Sequence, residues 1–227
     1  MKILGMDTAL GACSVALLDG DHVVGHAHEP MQRGHAEALA PMAEAVMRES
    51  GNSFSNLDRL AVTTGPGTFT GQRVGLAFAR AMALALKIPV VGVTTLDAMA
   101  AQALSEENTD WAVAVSDAKR GEVYLGARSS SGETLISASI TGHEAAAEQV
   151  LKTLRIYGNN LALAGTAAEL LRSLMGSEGR KLPPAKVQQP DAIFVARLGA
   201  LLAAPDAPPR PLYLRAPDAK LPKRAAL

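Results

Sequence analysis

The chain of 227 residues carries 22 basic and 22 acidic side chains, so its formal net charge at pH 7 is zero. Hydrophobic residues make up 48% and charged residues 19%, which is typical of a folded globular protein and excludes a disordered one. No run reaches the roughly 18 apolar residues that a membrane-spanning helix needs, and the opening MKILGMDT lacks the apolar stretch of a signal peptide. A single cysteine, Cys13, excludes an internal disulfide. These features predict a cytoplasmic protein.

Charge is distributed unevenly along the chain. Residues 1–110 carry 7 Lys and Arg against 12 Asp and Glu, whereas residues 111–227 carry 15 against 10. The tail after Pro205 contains five of these cations: Arg210, Arg215, Lys220, Lys223 and Arg224. A basic end can meet a phosphate backbone or an acidic partner. Five cations without interleaved aromatic residues are nevertheless more typical of a solvated polar tail.

A pattern of short apolar runs occurs twice, and equivalent residues lie 110 positions apart. In the first half a run ends at Asp7 and a turn through Gly11 leads into two further runs. In the second half a run extends to Asp117, and a turn through Gly121 leads into two more. Short runs bounded by Gly and Asp are typical of strands joined by hairpin turns. The pattern predicts a degenerate duplication of a three-strand unit.

Helical and strand-like segments follow each unit in chain order. The predicted segments after the first unit are a helix at 32–50, a strand at 60–64, a helix at 72–86 and a strand at 88–93. After the second unit they are a helix at 144–154, a strand at 161–164 and helices at 167–175 and 192–203. Two such units in tandem predict an α/β protein with a two-lobed actin-like (ASKHA) fold, each lobe a mixed sheet with helices packed on it. The polar stretch 105–110 marks the boundary between an N-terminal lobe, 1–104, and a C-terminal lobe with the basic tail, 105–227.

Four residues are candidates for contact with a nucleotide. An aspartate at the end of each first strand, Asp7 and Asp117, faces the cleft in folds of this kind and can hold a metal–phosphate group. The glycine-rich loop at 65–71, GPGTFTG, adds Gly65 and Gly67, because free backbone N–H groups between a strand and a helix suit an anion. The loop matches neither a Walker A loop nor a Rossmann fingerprint. Capping of turns by the aspartates and a tight corner shaped by the glycines are the structural alternatives.

Three histidines invite a metal hypothesis. His22, His26 and His28 are expected on one face of the third strand, since side chains alternate along a strand. Neighbours on such a face stand about 6–7 Å apart, which is too wide for a zinc site without ligands from other elements. A solvated face is therefore the favoured interpretation, and no metal site is expected. Cys13 is predicted to be a buried and inert thiol.

The helix predicted at 72–86 is apolar almost all round, with Arg73 and Arg80 as its only charges. One sheet covers one side of a helix, so either a second subunit or the protein's own layers must cover the other side. The favoured hypothesis is a partner interface shared with the helix at 32–50, formed by Leu39, Met42, Val46, Gly75, Phe78, Ala79, Met82 and Ala83. If Ala79 faces outward, Ala79→Glu is expected to break association while leaving the monomer folded.

Several segments closely resemble the TsaB (YeaZ) family: MKILGMDTALGACSVALLDG, TGPGTFTGQRVGLAFARAMALAL, PVVGVTTLDAMA, SDAKRGEVYLGARSS and PLYLR. The resemblance implies an actin-like subunit that pairs with its catalytic homologue TsaD. With TsaE, that pair helps transfer threonylcarbamoyl from its adenylate, made by TsaC, to N6 of the adenosine beside the anticodon of ANN-decoding tRNAs. It further implies a heterodimer with TsaD through the first two helices, and a homodimer through the same helices when TsaD is absent. The resemblance implies no cofactor bound by this chain alone. ATP or ADP would bind in the assembled complex, and the chain would contact tRNA through that complex.

One departure from the catalytic homologue bears on function. TsaD-type proteins carry a His-x-x-x-His metal pair just after the strand that here reads IPVVGV, and Thr95 and Met99 stand at those positions. Neither side chain suits zinc or iron. The resemblance therefore implies a non-catalytic partner that binds no transition metal. Two alternatives stay open: a glycoprotease-like peptidase acting on TsaD, and a sugar-kinase-like phosphotransferase, for which fold analogy is the main support.

Overall fold

A computed structural model describes residues 1–215 of the chain. Lys220, Lys223 and Arg224 of the predicted basic tail lie outside the described residues. The elements, in chain order, are β1 (Lys2–Asp7), β2 (Ala12–Asp19), β3 (His22–Pro30), α1 (His35–Glu49), β4 (Arg59–Thr63), α2 (Phe69–Leu86), β5 (Val90–Val93), α3 (Thr95–Glu107), β6 (Trp111–Lys119), β7 (Glu122–Ser129), β8 (Thr134–Gly142), α4 (His143–Tyr157), β9 (Leu161–Ala164), α5 (Ala168–Leu174), α6 (Gly176–Lys181) and α7 (Ala192–Leu201).

The strands form two sheets with a shared topology. The first sheet has the order β3-β2-β1-β4-β5, in which β1 to β3 are antiparallel and β4 and β5 run parallel to β1. The second sheet, β8-β7-β6-β9, repeats the antiparallel hairpins and the first parallel neighbour. Asp7 ends β1 and Asp117 lies near the end of the equivalent β6. The predicted duplication is confirmed, as is the mixed α/β fold.

Helices cover both faces of the first sheet, which explains why its inner strands are apolar at almost every position. On one face, Leu4 and Leu17 pack with residues of α1 and α2. On the other face, Ile3 and Leu18 pack with α7. The second sheet has the same construction, with α4 and α5 on one face and α3 on the other.

Two helices cross between the halves of the chain. Helix α3 follows β5 of the first sheet but packs against the second sheet, where Met99 and Ala103 join its core. Helix α7 follows the second sheet but packs against the first. This close approach needs a glycine at position 5, since a Cβ there would lie 2.4 Å from the carbonyl oxygen of Ala192. Helix α3 spans the predicted boundary at 104/105, whereas α7 lies within the predicted C-terminal range and packs on the first sheet. The lobe ranges 1–104 and 105–227 remain a prediction.

Helix α3 is the main element that the sequence pattern did not predict. Its buried residues do not form a single stripe, because it packs on both the second sheet and α7. A local signal was nevertheless present in Thr94-x-x-Asp97. The backbone N–H of Asp97 donates to Thr94 Oγ1 at 2.9 Å, and Thr94 caps the helix.

Cys13 lies buried in β2, as predicted. Burial raises the pKa of its thiol to about 12, and the neighbouring charges of Asp7 and Glu29 act in the same direction. The thiol is therefore protonated at neutral pH. Among residues 1–215, no helix combines the length and hydrophobicity required to cross a membrane.

Candidate functional site

A cleft of about 690 Å³ lies between the two halves of the structure. Its volume falls in the range of small-molecule pockets. The segment before α1 and the start of α2 line one side, and the β6–β7 turn lines the other. Both halves contribute polar groups: Arg33, His35, Thr68, Thr70, Asp117 and Lys119.

Asp7 lies beside this cleft but is fully buried and does not line it. Its Oδ1 accepts hydrogen bonds from Thr63 Oγ1 at 2.6 Å and from the backbone N–H of Ala9 at 3.1 Å. Its Oδ2 has no partner. Burial raises the pKa of Asp7 to about 7, against the opposing effect of the two hydrogen bonds. Near neutral pH a substantial fraction of this carboxyl is protonated.

Asp117 occupies the equivalent position in the second sheet and has the opposite environment. Its partly exposed carboxylate lines the cleft and pairs with Lys119 Nζ at 2.6 Å. The backbone N–H of Lys119 donates to Asp117 Oδ1 at 2.7 Å. The hydrogen bond from the Lys119 side chain is the main reason that the pKa of Asp117 lies below its usual range. Asp117 is thus an ionised group whose charge is already balanced.

The glycine-rich loop is pressed against the turn that follows β1. The backbone N–H of Thr68 donates to the carbonyl oxygen of Ala9 at 2.8 Å. A Cβ at Gly67 would lie 2.3 Å from that same oxygen, so only glycine fits there. Gly65 has a positive φ and lies against the side chain of Gln72. Neither glycine lines the cleft, and the structural interpretation accounts for both; their contact with a nucleotide remains a prediction.

A second, more apolar depression lies between α1 and α2. We call it the α1–α2 groove; its volume is about 260 Å³, and it is lined by Ala40, Glu44, Phe54, Phe78, Met82, Ala85 and Leu86. Glu44 is its only charged lining residue among those described. The groove lies on the side of α2 that the first sheet does not cover.

The predicted partner surface needs correction. Five of its residues, Leu39, Met42, Val46, Gly75 and Ala79, are buried in the monomer, mostly in the core between these helices and the first sheet. A buried side chain offers no area to a partner, so the condition that Ala79 faces outward is not met. Phe78, Met82 and Ala83 are only partly buried, and the first two line the groove. The error arose because α2 is apolar on both sides, so its pattern does not distinguish the core side from the outer side.

The histidines of β3 do not share one face. A bulge in the β2–β3 pairing, between Leu17 and Leu18, shifts the register so that His22 pairs with Asp19 on the opposite face. His26 and His28 keep the face of α7 and approach Asp191, the residue that caps this helix. Burial raises the pKa of Asp191, but its hydrogen bonds with His26 and Ile193 and the charges of both histidines outweigh burial, so the net pKa is lowered.

Thr95 and Met99 are the residues that the family resemblance aligns with the metal-binding histidines expected in the catalytic homologue. Both lie in α3 and are fully buried. Neither lines the cleft. This part of α3 is therefore built into the core beneath the second sheet.

Two duplicated sheets, each opening with an antiparallel hairpin and flanking a central cleft, define an actin-like protein. A ROK hexokinase from Thermus thermophilus superposes with a TM-score of 0.51 over 88% of this chain and 99% of that chain, and at 14% identity it supports the fold alone. Residues 25–205 match the family model described as TsaD, tRNA N6-adenosine threonylcarbamoyltransferase. The chain belongs to this family, and the named relatives that it resembles are TsaB (YeaZ) proteins.

Particular relatives support this assignment. The chain is 40% identical to the tRNA threonylcarbamoyladenosine biosynthesis protein TsaB of Escherichia coli over 124 residues, which are 55% of this chain and 53% of the relative. The match thus spans about half the length of that curated relative. An uncharacterized protein of Mycobacterium tuberculosis is 34% identical over 96% of this chain and 93% of its own length. The structure of YeaZ from Pseudomonas aeruginosa superposes with a TM-score of 0.73 at 28% identity, covering 94% of this chain and 99% of that one.

Proposed function

We propose that this chain is a non-catalytic partner subunit in tRNA threonylcarbamoyladenosine biosynthesis and that it acts in the cytoplasm. The name of its TsaB relatives supports the pathway. The observation that carries the partner role is the α1–α2 groove, an apolar depression on the outer side of two helices. The partner that we propose is TsaD, whose family model also matches this chain. Two homologous chains can pair through equivalent helices.

The helices are large enough for such an interface. Helix α1 has 15 residues and α2 has 18, which correspond to lengths of roughly 22 and 27 Å. A stable interface of ordinary size buries about 800 Å² on each partner, and two helices of this length can provide it. Phe54, Phe78 and Met82 supply large apolar side chains of the kind that anchor interfaces. We propose a four-helix contact centred on this groove.

We assign different roles to TsaD and to this chain because their residues differ at the metal-binding positions. In our proposal TsaD holds the metal and transfers threonylcarbamoyl from its adenylate to N6 of the adenosine beside the anticodon. This chain has Thr95 and Met99 at the corresponding positions and contributes the docking surface. TsaE and tRNA join through the assembled complex. We also infer that ATP or ADP binds only in that complex, since Asp7 is buried and partly protonated and Asp117 is paired with Lys119.

Ala85→Glu is expected to break association with TsaD while leaving the fold intact. Ala85 is exposed and lines the groove, where a glutamate would be buried by the partner and would face Glu44. An unpaired charge buried in an interface costs on the order of 3 kcal/mol, which is roughly a hundredfold in dissociation constant. Calorimetric titration of TsaD from the same organism measures the change, and size-exclusion chromatography reports the assembly.

The matched control is Ala77→Glu, which lies on an exposed part of the same helix that does not line the groove. It should bind TsaD like the wild type. If folded Ala85→Glu keeps wild-type affinity, the groove is not the interface. Intact TsaD on a denaturing gel after incubation argues against the peptidase alternative, and cleavage would favour it. A homodimer that dissociates when TsaD is added would place self-association on the same helices.

A further inference from the structure

Two histidines and one aspartate converge where the edge strand β3 meets the start of α7. His26 Nε2 lies 3.0 Å from Asp191 Oδ1, and His28 Nδ1 lies 3.7 Å from Asp191 Oδ2. One ligand atom from each residue lies within 4.8 Å of the other two. Asp191 thus adds a third possible ligand from a different element, which two histidines on a single strand would lack.

Although the sequence led us to expect no metal site, the position of Asp191 adds a third ligand, and we propose that His26, His28 and Asp191 bind a divalent transition metal, with Zn²⁺ as the best match. Two imidazoles and one carboxylate form a donor set that zinc accepts in proteins. In a tetrahedral site with bonds of about 2.0–2.1 Å, ligand atoms stand roughly 3.3 Å apart. The histidine nitrogens lie 3.0 and 3.7 Å from different oxygens of Asp191, and one ligand atom from each of the three residues fits within 4.8 Å, so side-chain rotations would bring all three to one metal ion. A fourth position remains for water or for a group of a binding partner.

The surrounding contacts hold these side chains in place. The backbone N–H of Ile193 donates to Asp191 Oδ1 at 2.8 Å, which orients the carboxylate and leaves Oδ2 directed toward His28. Ser14 lies opposite His28 in the β2–β3 pairing, and its Oγ accepts from the backbone N–H of Ala192 at 3.1 Å. Strand and helix are therefore fixed relative to each other at the cluster.

An unsatisfied atom gives the second observation. His28 Nδ1 is buried and has no hydrogen-bond partner, because Asp191 lies beyond hydrogen-bond distance from it. A buried polar atom without a partner is costly, and coordination to a metal would satisfy it. The ion would also tie β3, the edge strand of the first sheet, to α7.

The competing explanation is a plain ion pair between Asp191 and the histidines. Titration of Zn²⁺ into the untagged full-length chain, freed of metal by chelation and dialysis, separates the two. We expect one Zn²⁺ per chain and a higher melting temperature for the loaded wild type. His26→Ala and His28→Ala should each weaken binding by about a hundredfold or more. Asp191→Asn should do the same, although its amide oxygen can still accept from Ile193.

The matched control is His22→Ala, on the same strand but the opposite face, which should bind Zn²⁺ like the wild type. If circular dichroism shows that a variant does not fold, the site is tested by following the imidazole NMR signals of the wild type during Zn²⁺ titration. Zn²⁺ should then shift the signals of His26 and His28 and leave that of His22 in place. No stoichiometric binding, or equal binding by wild type and all folded variants, overturns the site and leaves an ion pair only.

Discussion

Ala79→Glu is expected to destabilise the folded chain by several kcal/mol. Ala79 has no exposed surface and lies between α2 and the first sheet. A glutamate there must bury a charge without a counter-charge, or take up a proton and overpack the core, and the first penalty alone is on the order of 3–5 kcal/mol. Chemical denaturation followed by circular dichroism measures the change in the free energy of unfolding.

Ala85→Glu provides the matched control on the same helix. Its side chain is exposed in the monomer, so its unfolding free energy should stay within about 0.5 kcal/mol of the wild type. The pair of variants thus separates the core side of α2 from its outer side. Equal stability of Ala79→Glu and the wild type would mean that the described packing of α2 on the first sheet is wrong.

Asp7→Asn is expected to become more stabilising as the pH rises. The pKa of Asp7 is about 7 in the folded chain and near 3.8 in the unfolded chain. Between these values the folded state holds a proton that the unfolded state has released, so wild-type stability falls as the pH increases. Below pH 3.8 this loss is absent, and above pH 7 it reaches its full value of about 4 kcal/mol. Asparagine keeps an acceptor for Thr63 and Ala9 and does not ionise.

Denaturation of the wild type and Asp7→Asn at pH 4.5 and pH 8.5 tests this dependence. The two proteins should be close in stability at the lower pH and clearly different at the higher one. Asp117→Asn is the control at the equivalent strand end. Because the pKa of Asp117 is lowered from 3.8, its carboxyl is ionised at both pH values, and the stability difference between this variant and the wild type should stay nearly constant. A difference between the wild type and Asp7→Asn that is the same at both pH values contradicts the raised pKa.

The duplicated strands could be predicted because their signal is local. Apolar runs ending at Asp7 and Asp117, each followed by a glycine turn, specify hairpins without reference to distant residues. The cap of α7 by Asp191 is local in the same sense. The family resemblance rests on motifs that are equally contiguous.

Other features depend on contacts between segments that are remote in sequence, so they could not be predicted from the sequence pattern. The side of α2 that faces outward depends on which of its residues pack on the first sheet. Because α2 is apolar on both sides, its sequence does not show which side that is. The meeting of His26 and Asp191 joins residues that are far apart in sequence, through the return of α7 to the first sheet. The burial of Asp7 likewise follows from the loop that packs over the end of β1.

Reconstitution of the tRNA modification tests the central claim most directly. Formation of threonylcarbamoyladenosine is measured in an ANN-decoding tRNA with TsaC, TsaD and TsaE from the same organism, in the presence and absence of this chain. We expect product only when TsaD and this chain are both present, wild-type yield with Ala77→Glu, and strongly reduced yield with Ala85→Glu. Product formed by this chain without TsaD, or undiminished product when this chain is omitted, would contradict the role of a non-catalytic partner.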